Sequence, residues 1–598
     1  MPKLFFPFLL SCLVAQLALG TPQAPLAFVH ATVIDVTGAP AQNDVTVVMK
    51  DGRITALGKS VAVRPPSDAE IVDANGKFLI PGLWDMHVHW YEKDYLPLFI
   101  ANGVTGVRMM WGTSVHHEWR KEIEEGSLLG PRLLIASTIV DGPKPIWPGS
   151  IIAGNEAEGR QAVTNAKQAG ADFVKVYSLL PRDAYFAIAN EAKKQGIPFE
   201  GHVPDAVSVE EASRAGQKTV EHLTGMLLAC STRQADLLKS AQEALAEALS
   251  TTNEPITMRA KMRQLTKLAL ETYSPAKASE VFAELKNNHT WQCPTLTVLH
   301  NVRFIDNPSF GNDSRLKYMP RGLRSMWDPS QDFRWKSRTA EDLALEKKFY
   351  PKELAIVGAM RRAGVEILAG TDVGNPYCFP GFSLHDELGL LVQAGLTPME
   401  ALQAATINAA RFMGRENEMG TIGVGKIADL VLLEANPLND IANTRKIAAV
   451  VFGGRMFPKS SLNDILSKIE VIANLKSIAD TLLKTIEEKN VDEAVKQYRQ
   501  LKAAKTSAYD LREEELNTLG YNLINKHRFK EAISILKLNV EAYPKSFNTY
   551  DSLGEAYLDD GNIGFAAENY EKSLKLDPAN VNAREKLNKL KAHEGVSP

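Results

Sequence analysis

Apolar and polar side chains alternate at period 2 from residue 27 to 80, as in Phe28-Val29-His30-Ala31-Thr32-Val33-Ile34-Asp35, and this predicts half-buried strands. Asp51-Gly52, between the apolar runs 45–49 and 54–57, predicts a two-residue hairpin, because such a turn wants residues that tolerate positive φ. The same texture returns at 417–457, where 428–433 and 448–452 are β-rich and Gly453-Gly454 supplies a second turn. Two β-rich flanks around one long middle predict a composite small β-domain made of 27–80 with 417–457.

The middle, 81–416, alternates β-branched apolar runs with helical periodicity, the mark of βα units and a parallel sheet. Candidate strands fall at 83–88, 104–110, 132–138, 172–177, 197–203, 218–223, 293–299 and 365–371. Eight such units predict an α/β fold, a (β/α)8 TIM barrel with insertions. The surplus chain lies at 225–285, rich in Ala, Leu and Lys, and at 301–350, which carries Phe304, Tyr318, Trp327, Phe333, Trp335 and Tyr350. Insertions after strands six and seven emerge on the catalytic face of such a barrel, so a lid is expected there.

After about residue 460 the pattern is continuously helical. Leu519-Gly520-Tyr521 and Leu553-Gly554-Glu555, Ala532 and Ala566, and Pro544 and Pro578 each recur at a spacing of 34 residues. That period resembles tetratricopeptide repeats and predicts an all-α helical repeat domain over 462–598.

Composition narrows the function. With 45% hydrophobic and 23% charged residues the chain is globular in character, and Lys plus Arg at 68 against Asp plus Glu at 71 leaves no basic surplus for a phosphate backbone. Nucleic acid is therefore not an expected partner. Cys12, Cys230, Cys293 and Cys378 lie far apart without a C-x-x-C pair, so neither a disulfide framework nor a thiolate zinc site is indicated. Residues 1–20, with Lys3, two apolar runs and Ala18-Leu19-Gly20, read as a cleavable signal and predict export to the periplasm or outside the cell. A weaker reading makes Leu9-Leu10-Ser11-Cys12 a lipoprotein box. No later apolar run is long enough to span a bilayer, so no membrane span is expected in the mature chain.

The candidate chemistry sits at strand ends. His87 and His89 in Trp84-Asp85-Met86-His87-Val88-His89 are two apart, so on a strand their imidazoles leave one face and can grip one metal. Lys175 lies in the apolar strand Phe173-Val174-Lys175-Val176-Tyr177, where a buried ammonium is costly. His202, His222 and Asp372 each close a further candidate strand. Any one of these alone is more often a hydrogen-bonded core residue than a ligand. Together they open onto one mouth.

With these residues, and with Leu384-His385-Asp386-Glu387-Leu388, Ala394-Gly395-Leu396-Thr397-Pro398, Ala404-Ala405-Thr406-Ile407-Asn408-Ala409-Ala410 and Gly425-Lys426-Ile427-Ala428-Asp429-Leu430, the stretch from about 27 to 457 resembles the amidohydrolase superfamily. The likeness is to the branch of imidazolonepropionase-like enzymes and Xaa-Pro dipeptidases. It implies two divalent metal ions, zinc first and manganese, iron or cobalt as alternatives. His87, His89 and Asp372 would hold the inner ion, His202 and His222 the outer, and Lys175, carboxylated by carbon dioxide to a carbamate, would bridge them. Asp372 would also be the catalytic proton carrier. Asp205 stands where deaminases of this superfamily carry Glu, which argues against deamination. Arg108, Tyr177 and His385 are the candidates for binding a substrate carboxylate or carbonyl.

The leading expectation is thus an exported amidohydrolase cleaving a C–N bond in a dipeptide, N-acyl amino acid or cyclic amide. Two alternatives stand beside it: a single-metal imidazolone-type ring hydrolase, and a repeat-based interaction protein with a vestigial barrel. The tail is expected to fold by itself, to leave turnover of small substrates intact and to serve a protein partner or self-association through Tyr521, Asn522, Tyr550 and Asn569.

Overall fold

The computed structural model describes residues 24–594 apart from 251–254, 331, 333, 336–337, 505, 507 and 579. The expected signal at 1–20, with Cys12, and Phe333 lie outside the described residues. The two β-rich flanks meet in one sheet. Its strands β1 (Leu26–Val33), β2 (Gln42–Lys50), β3 (Arg53–Lys59), β4 (Glu70–Asp73) and β5 (Phe78–Pro81) come from the first flank. Asp51 and Gly52, with φ of 50° and 72°, make the expected tight turn between β2 and β3.

In the middle follow β6 (Leu83–Val88), β7 (Val104–Met109), β8 (Arg132–Ile135), β9 (Val140–Asp141) and β10 (Ile151–Ile152). Then come β11 (Val174–Val176), β12 (Phe199–Gly201), β13 (Thr219–Glu221) and β14 (Trp291–Cys293). The second flank supplies β15 (Leu430–Leu433), β16 (Ile447–Phe452) and β17 (Arg455–Pro458). The first sheet runs β17-β16-β15-β5-β1-β2-β3 with β4 beside β1, and β5 pairs antiparallel with β15, so Phe78 faces Leu433 across chain ends far apart in sequence.

The parallel strands form two sheets, β6-β7-β8 and β10-β9-β11-β12-β13-β14, rather than one drawn eight-stranded ring. Single parallel bridges join them: Ala136 with Phe173 past the end of β8, Gln292 of β14 with Ile367, and Val373 with Val88 of β6. The pairings therefore return to their starting strand. Two of the expected strands change. Residues 293–299 are not a strand: β14 ends at Cys293, Pro294 follows, and Leu296–Arg303 is a helix whose first N–H groups, on Leu296 and Thr297, donate to the buried Glu387 carboxylate at 3.0 and 2.7 Å. The 365–371 stretch is not assigned as a strand either, but it hydrogen-bonds on both sides, through Leu368 N–H to Gln292 O at 2.8 Å and Met86 N–H to Ala369 O at 2.8 Å. It closes the circuit by isolated contacts instead of a ladder.

The insertion at 225–285 is helical, as Met226–Ala229, Gln234–Ser250, Pro255–Glu271 and the start of Pro275–Asn287. The one at 301–350 runs through short 3-10 turns into the helices Arg321–Met326 and Ala340–Ala363. The tail is helical, and the 34-residue spacing places Gly520 and Gly554 alike: a Cβ on either would meet a side chain of the paired helix, Leu536 at 2.6 Å or Tyr570 at 3.0 Å. The boundary of the tail is less simple. Leu462, Ile469 and Ala473 of helix Lys459–Ala473 are buried in the main core, and a separate core gathers from Ile478 onward. Asn569 is buried, its amide donating to Phe565 O, and so is not exposed in a groove. Among the described residues no helix is long and apolar enough to cross a membrane.

One close approach offers a test. Gly106 of β7 lies under the Trp84 indole of β6, and an added Cβ would fall 2.2 Å from its ring. Gly106→Ala is expected to lower stability by about 1–3 kcal/mol through overpacking. Urea unfolding with an unchanged m-value would read this, and wild-type stability would contradict the packing account.

Candidate metal centre

Four imidazoles and one carboxylate converge where the strands end. His87 Nε2 and His89 Nε2 face each other at 3.3 Å, each stands 3.4 Å from Asp372 Oδ1, and His222 Nε2 is 3.8 Å from Asp372 Oδ2. The His202 ring lies 5.0 Å from that of His222, and Tyr177 stacks on it at 4.0 Å. Backbone bonds hold the strand ends in place: Asp372 N–H donates to His87 O, His89 N–H to Val373 O, His202 N–H to Val176 O and His222 N–H to Cys293 O. Asp372 and His222, with φ of 61° and 56°, occupy the left-handed region, as does β-branched Thr295 at 49°. That is uncommon for such residues and costs strain that the surrounding structure must hold.

The partners of the outer ring nitrogens set which nitrogen is bare. His87 Nδ1 lies 2.7 Å from Glu221 Oε2, a carboxylate acceptor, so the proton sits on Nδ1 and Nε2 offers its lone pair to the centre. His222 Nδ1 is 2.6 Å from Thr295 Oγ1, whose own hydroxyl donates to Pro294 O, so this imidazole also donates outward. His202 Nδ1 meets Ser178 Oγ at 2.8 Å. Burial pushes all four histidines well below the ordinary imidazole value, and nearby Lys175 adds to the shift, so they stand neutral.

Lys175 is fully buried beneath them, and burial lowers its pKa, while burial raises that of Asp372. Lys175 Nζ and Asp372 Oδ1 are buried without a hydrogen-bond partner. Unmet buried polar atoms are costly unless something else satisfies them. Neutral imidazoles, a carboxylate oxygen and an unpartnered amine in one pocket are the donor set that a divalent ion takes, so the residues fit a metal.

Two of the three expected substrate contacts lie elsewhere. Arg108 is fully buried: its Nε donates to Met86 O at 2.6 Å, and Nη1 and Nη2 bond Glu200 and Glu221, both at 2.8 Å. It is a framework cation beneath the histidines and does not reach the mouth. His385 is buried between Thr444 Oγ1 at 2.9 Å and Asn102 O at 3.0 Å, away from the cavity. Tyr177 does face the mouth, with its hydroxyl accepting from Trp147 Nε1 at 2.9 Å.

Sequence reasoning missed Glu221, Glu200, Thr295 and Asp85. Asp85 accepts from Thr371 N–H and Oγ1 and so fixes the residue before Asp372. The signal for the first two was charge balance: two Glu and one Arg in strands that must be buried have to find one another.

The centre opens into a cavity of about 1340 Å³. Trp111, Trp147 and Tyr177 line it near the histidines, and Trp327 and Trp335 of the second insertion form one side. The tail forms another, through Ile472, Ala473, Leu475, Arg512, Glu515 and Thr518. A tail standing apart from the active site is therefore not what the chain builds. Arg512 Nη1 pairs with Glu92 Oε2 at 3.0 Å, three residues past His89, and the guanidinium lies 5.7 Å from the Tyr95 ring.

Known proteins share this architecture. The family model described as Amidohydrolase family matches residues 78–457, more than half of the chain. Ochratoxinase of Aspergillus niger is 24% identical over 509 residues, covering 73% of this chain and 88% of its own. Among solved structures, a bottromycin amidohydrolase aligns with a TM-score of 0.60 at 22% identity, covering 75% of this chain and 90% of that one. A Xaa-Pro dipeptidase with bound methionine aligns with a TM-score of 0.52 at 18% identity, covering 73% and 100%. At these identities the structural likeness speaks to the fold.

The buried charges give a prediction. Arg108→Met leaves Glu200 and Glu221 without their cation and is expected to cost about 3–5 kcal/mol of stability. If the variant unfolds at the wild-type denaturant midpoint and only KM rises, Arg108 touches substrate after all.

Proposed function

Because the chain belongs to the amidohydrolase family, we propose that it is an exported, metal-dependent hydrolase of a C–N bond in a small amide such as a dipeptide, N-acyl amino acid or cyclic amide. The observation that carries the reading is the convergence of four neutral imidazoles, Asp372 and the unpartnered Lys175 amine at the end of a closed circuit of parallel strands. We read that circuit as a (β/α)8 barrel and the 34-residue helical hairpins as tetratricopeptide repeats. The matching Amidohydrolase family model supports C–N cleavage, and export rests on the texture of residues 1–20.

In this reading His87, His89 and Asp372 would hold one divalent ion, and His202 and His222 would hold a second. Burial lowers the Lys175 pKa to about 8, which makes its free amine accessible to carbon dioxide, and the resulting carbamate would turn a costly buried cation into an anionic metal ligand. Metal ions bound there would supply acidification of a water and polarisation of the scissile carbonyl. Asp372, strained in backbone and with Oδ1 unpartnered, receives the proton of the attacking water and delivers it to the leaving amine. Glu221 keeps the proton of His87 on Nδ1 throughout, and Tyr177 presents its hydroxyl to the substrate side.

Elemental analysis of the purified protein is expected to find two divalent ions per chain, and full activity at one ion would favour the single-metal ring hydrolase. Lys175→Ala should lose roughly 10²-fold or more in kcat, with short carboxylic acids restoring part of it. Wild-type activity in that variant would make the lysine structural. Asp372→Asn should lower kcat by roughly 10²–10⁴-fold with little change in substrate binding, and a pure KM effect would contradict proton transfer.

A further inference from the structure

The tail enters the cavity through two separate pieces of chain. The end of helix Lys459–Ala473 brings Ile472 and Ala473, and Leu475 follows just beyond it. The segment entering helix Glu513–Asn525 brings Arg512, Glu515 and, one turn on, Thr518. Both pieces are tied to the body. Asn474 Nδ2 donates to Lys317 O at 2.8 Å, and Arg324 Nη2 donates to Ala473 O at 3.3 Å, so the first piece is bound to the second insertion. Arg512 pins the second piece to Glu92. Farther out, Ser114 Oγ donates to Asp577 Oδ2 at 2.6 Å. These ties hold the wall where it stands.

The wall lines the same cavity as His89, His202, His222 and Asp372. The cavity volume, about 1340 Å³, exceeds the roughly 300–1,000 Å³ that encloses a drug-sized ligand. A dipeptide at the metal centre would leave much of that volume unfilled. The tail's lining is mixed, aliphatic at Ile472 and Leu475 and charged at Arg512, Glu514 and Glu515, and the same cavity is lined by Trp327 and Trp335.

We propose that the helical tail is the outer wall of the substrate cavity and selects extended amides with a large apolar group, which is seated between Ile472 and Leu475 of the tail and the tryptophans of the second insertion. The proposal rests on the amide-hydrolase reading of the centre. It makes Ile472 and Leu475 specificity residues and gives the tail a role in substrate choice.

The test uses the full chain and two substrates, N-acetyl-L-alanine and N-(2-naphthoyl)-L-phenylalanine, with Leu475→Ala, Leu475→Asp and, as control, Val471→Asp. Val471 lies in helix Lys459–Ala473, four residues before Leu475, but is 63% exposed and does not line the cavity. Leu475→Asp is expected to raise KM for the naphthoyl substrate by roughly 10-fold or more, well beyond its effect on the acetyl substrate, with Leu475→Ala intermediate and kcat little altered. Val471→Asp should match wild type on both. Equal losses on the two substrates, or none, would overturn the proposal. If wild type cleaves neither compound, the N-acyl amino acid form of the amide reading fails. The wall is then judged by quenching of tryptophan fluorescence with the naphthoyl compound: a Kd weakened in Leu475→Asp supports it, and an unchanged Kd overturns it.

Discussion

A single buried cation organises the centre of this protein. Arg108 lies fully buried among the parallel strands and bridges β7 to β12 and β13 through Glu200 and Glu221, while its Nε holds the backbone of β6 at Met86. In a medium of low polarity each of these charges would be prohibitive alone, and only the three together, with Thr219 bonded into the cluster, are tolerable. Glu221 then spends its other oxygen on His87. The geometry of the histidines is therefore inherited from a charge cluster one layer below, and anything that loosens Arg108 turns the His87 ring as well.

Above that layer the structure trades backbone comfort for convergence. His222, Thr295 and Asp372 sit at positive φ, and the loop after Asp372 passes so near His89 that a Cβ on Gly374 would fall 2.3 Å from His89 O. Strain of this kind persists only where neighbours over-determine it, and here Asp85 holding Thr371 and the backbone bond from Asp372 to His87 supply that restraint. The result is a pocket that leaves a lysine amine and a carboxylate oxygen unpartnered among neutral imidazoles. Such an arrangement makes physical sense when cations complete it.

The mouth belongs to three parts of the chain at once: the strand ends, the second insertion and the helical tail. The helix Lys459–Ala473 packs into the main core, so the tail begins as part of the body and only from Ile478 gathers a core of its own. Arg512, between Glu92 and the Tyr95 ring, fastens the loop beyond His89 to the tail. The tail, from which no described residue joins the histidine cluster, thereby lines the cavity into which that cluster opens.

Much of this was legible in the chain itself, for reasons of period. Alternation at two residues marks strands, so the flanking β regions and most of the parallel strands could be placed, and His87 with His89 could be assigned to one face. His202, His222 and Asp372 were recognisable as polar residues closing apolar runs. What the sequence could not determine was anything set by contacts across the fold. Whether 365–371 and 293–299 pair as strands depends on neighbours, and Pro294 with the Glu387 carboxylate turns the latter stretch into a helix. Arg108 and His385 read as candidates for binding substrate because a sequence does not reveal that Glu200, Glu221 and Thr444 lie beside them. The repeat period made the tail look independent, since periodicity reports only how a helix packs on its sequence neighbours. Its seat against the catalytic mouth was decided by complementary charges and apolar faces hundreds of residues apart, and such pairings exist only once the chain has folded.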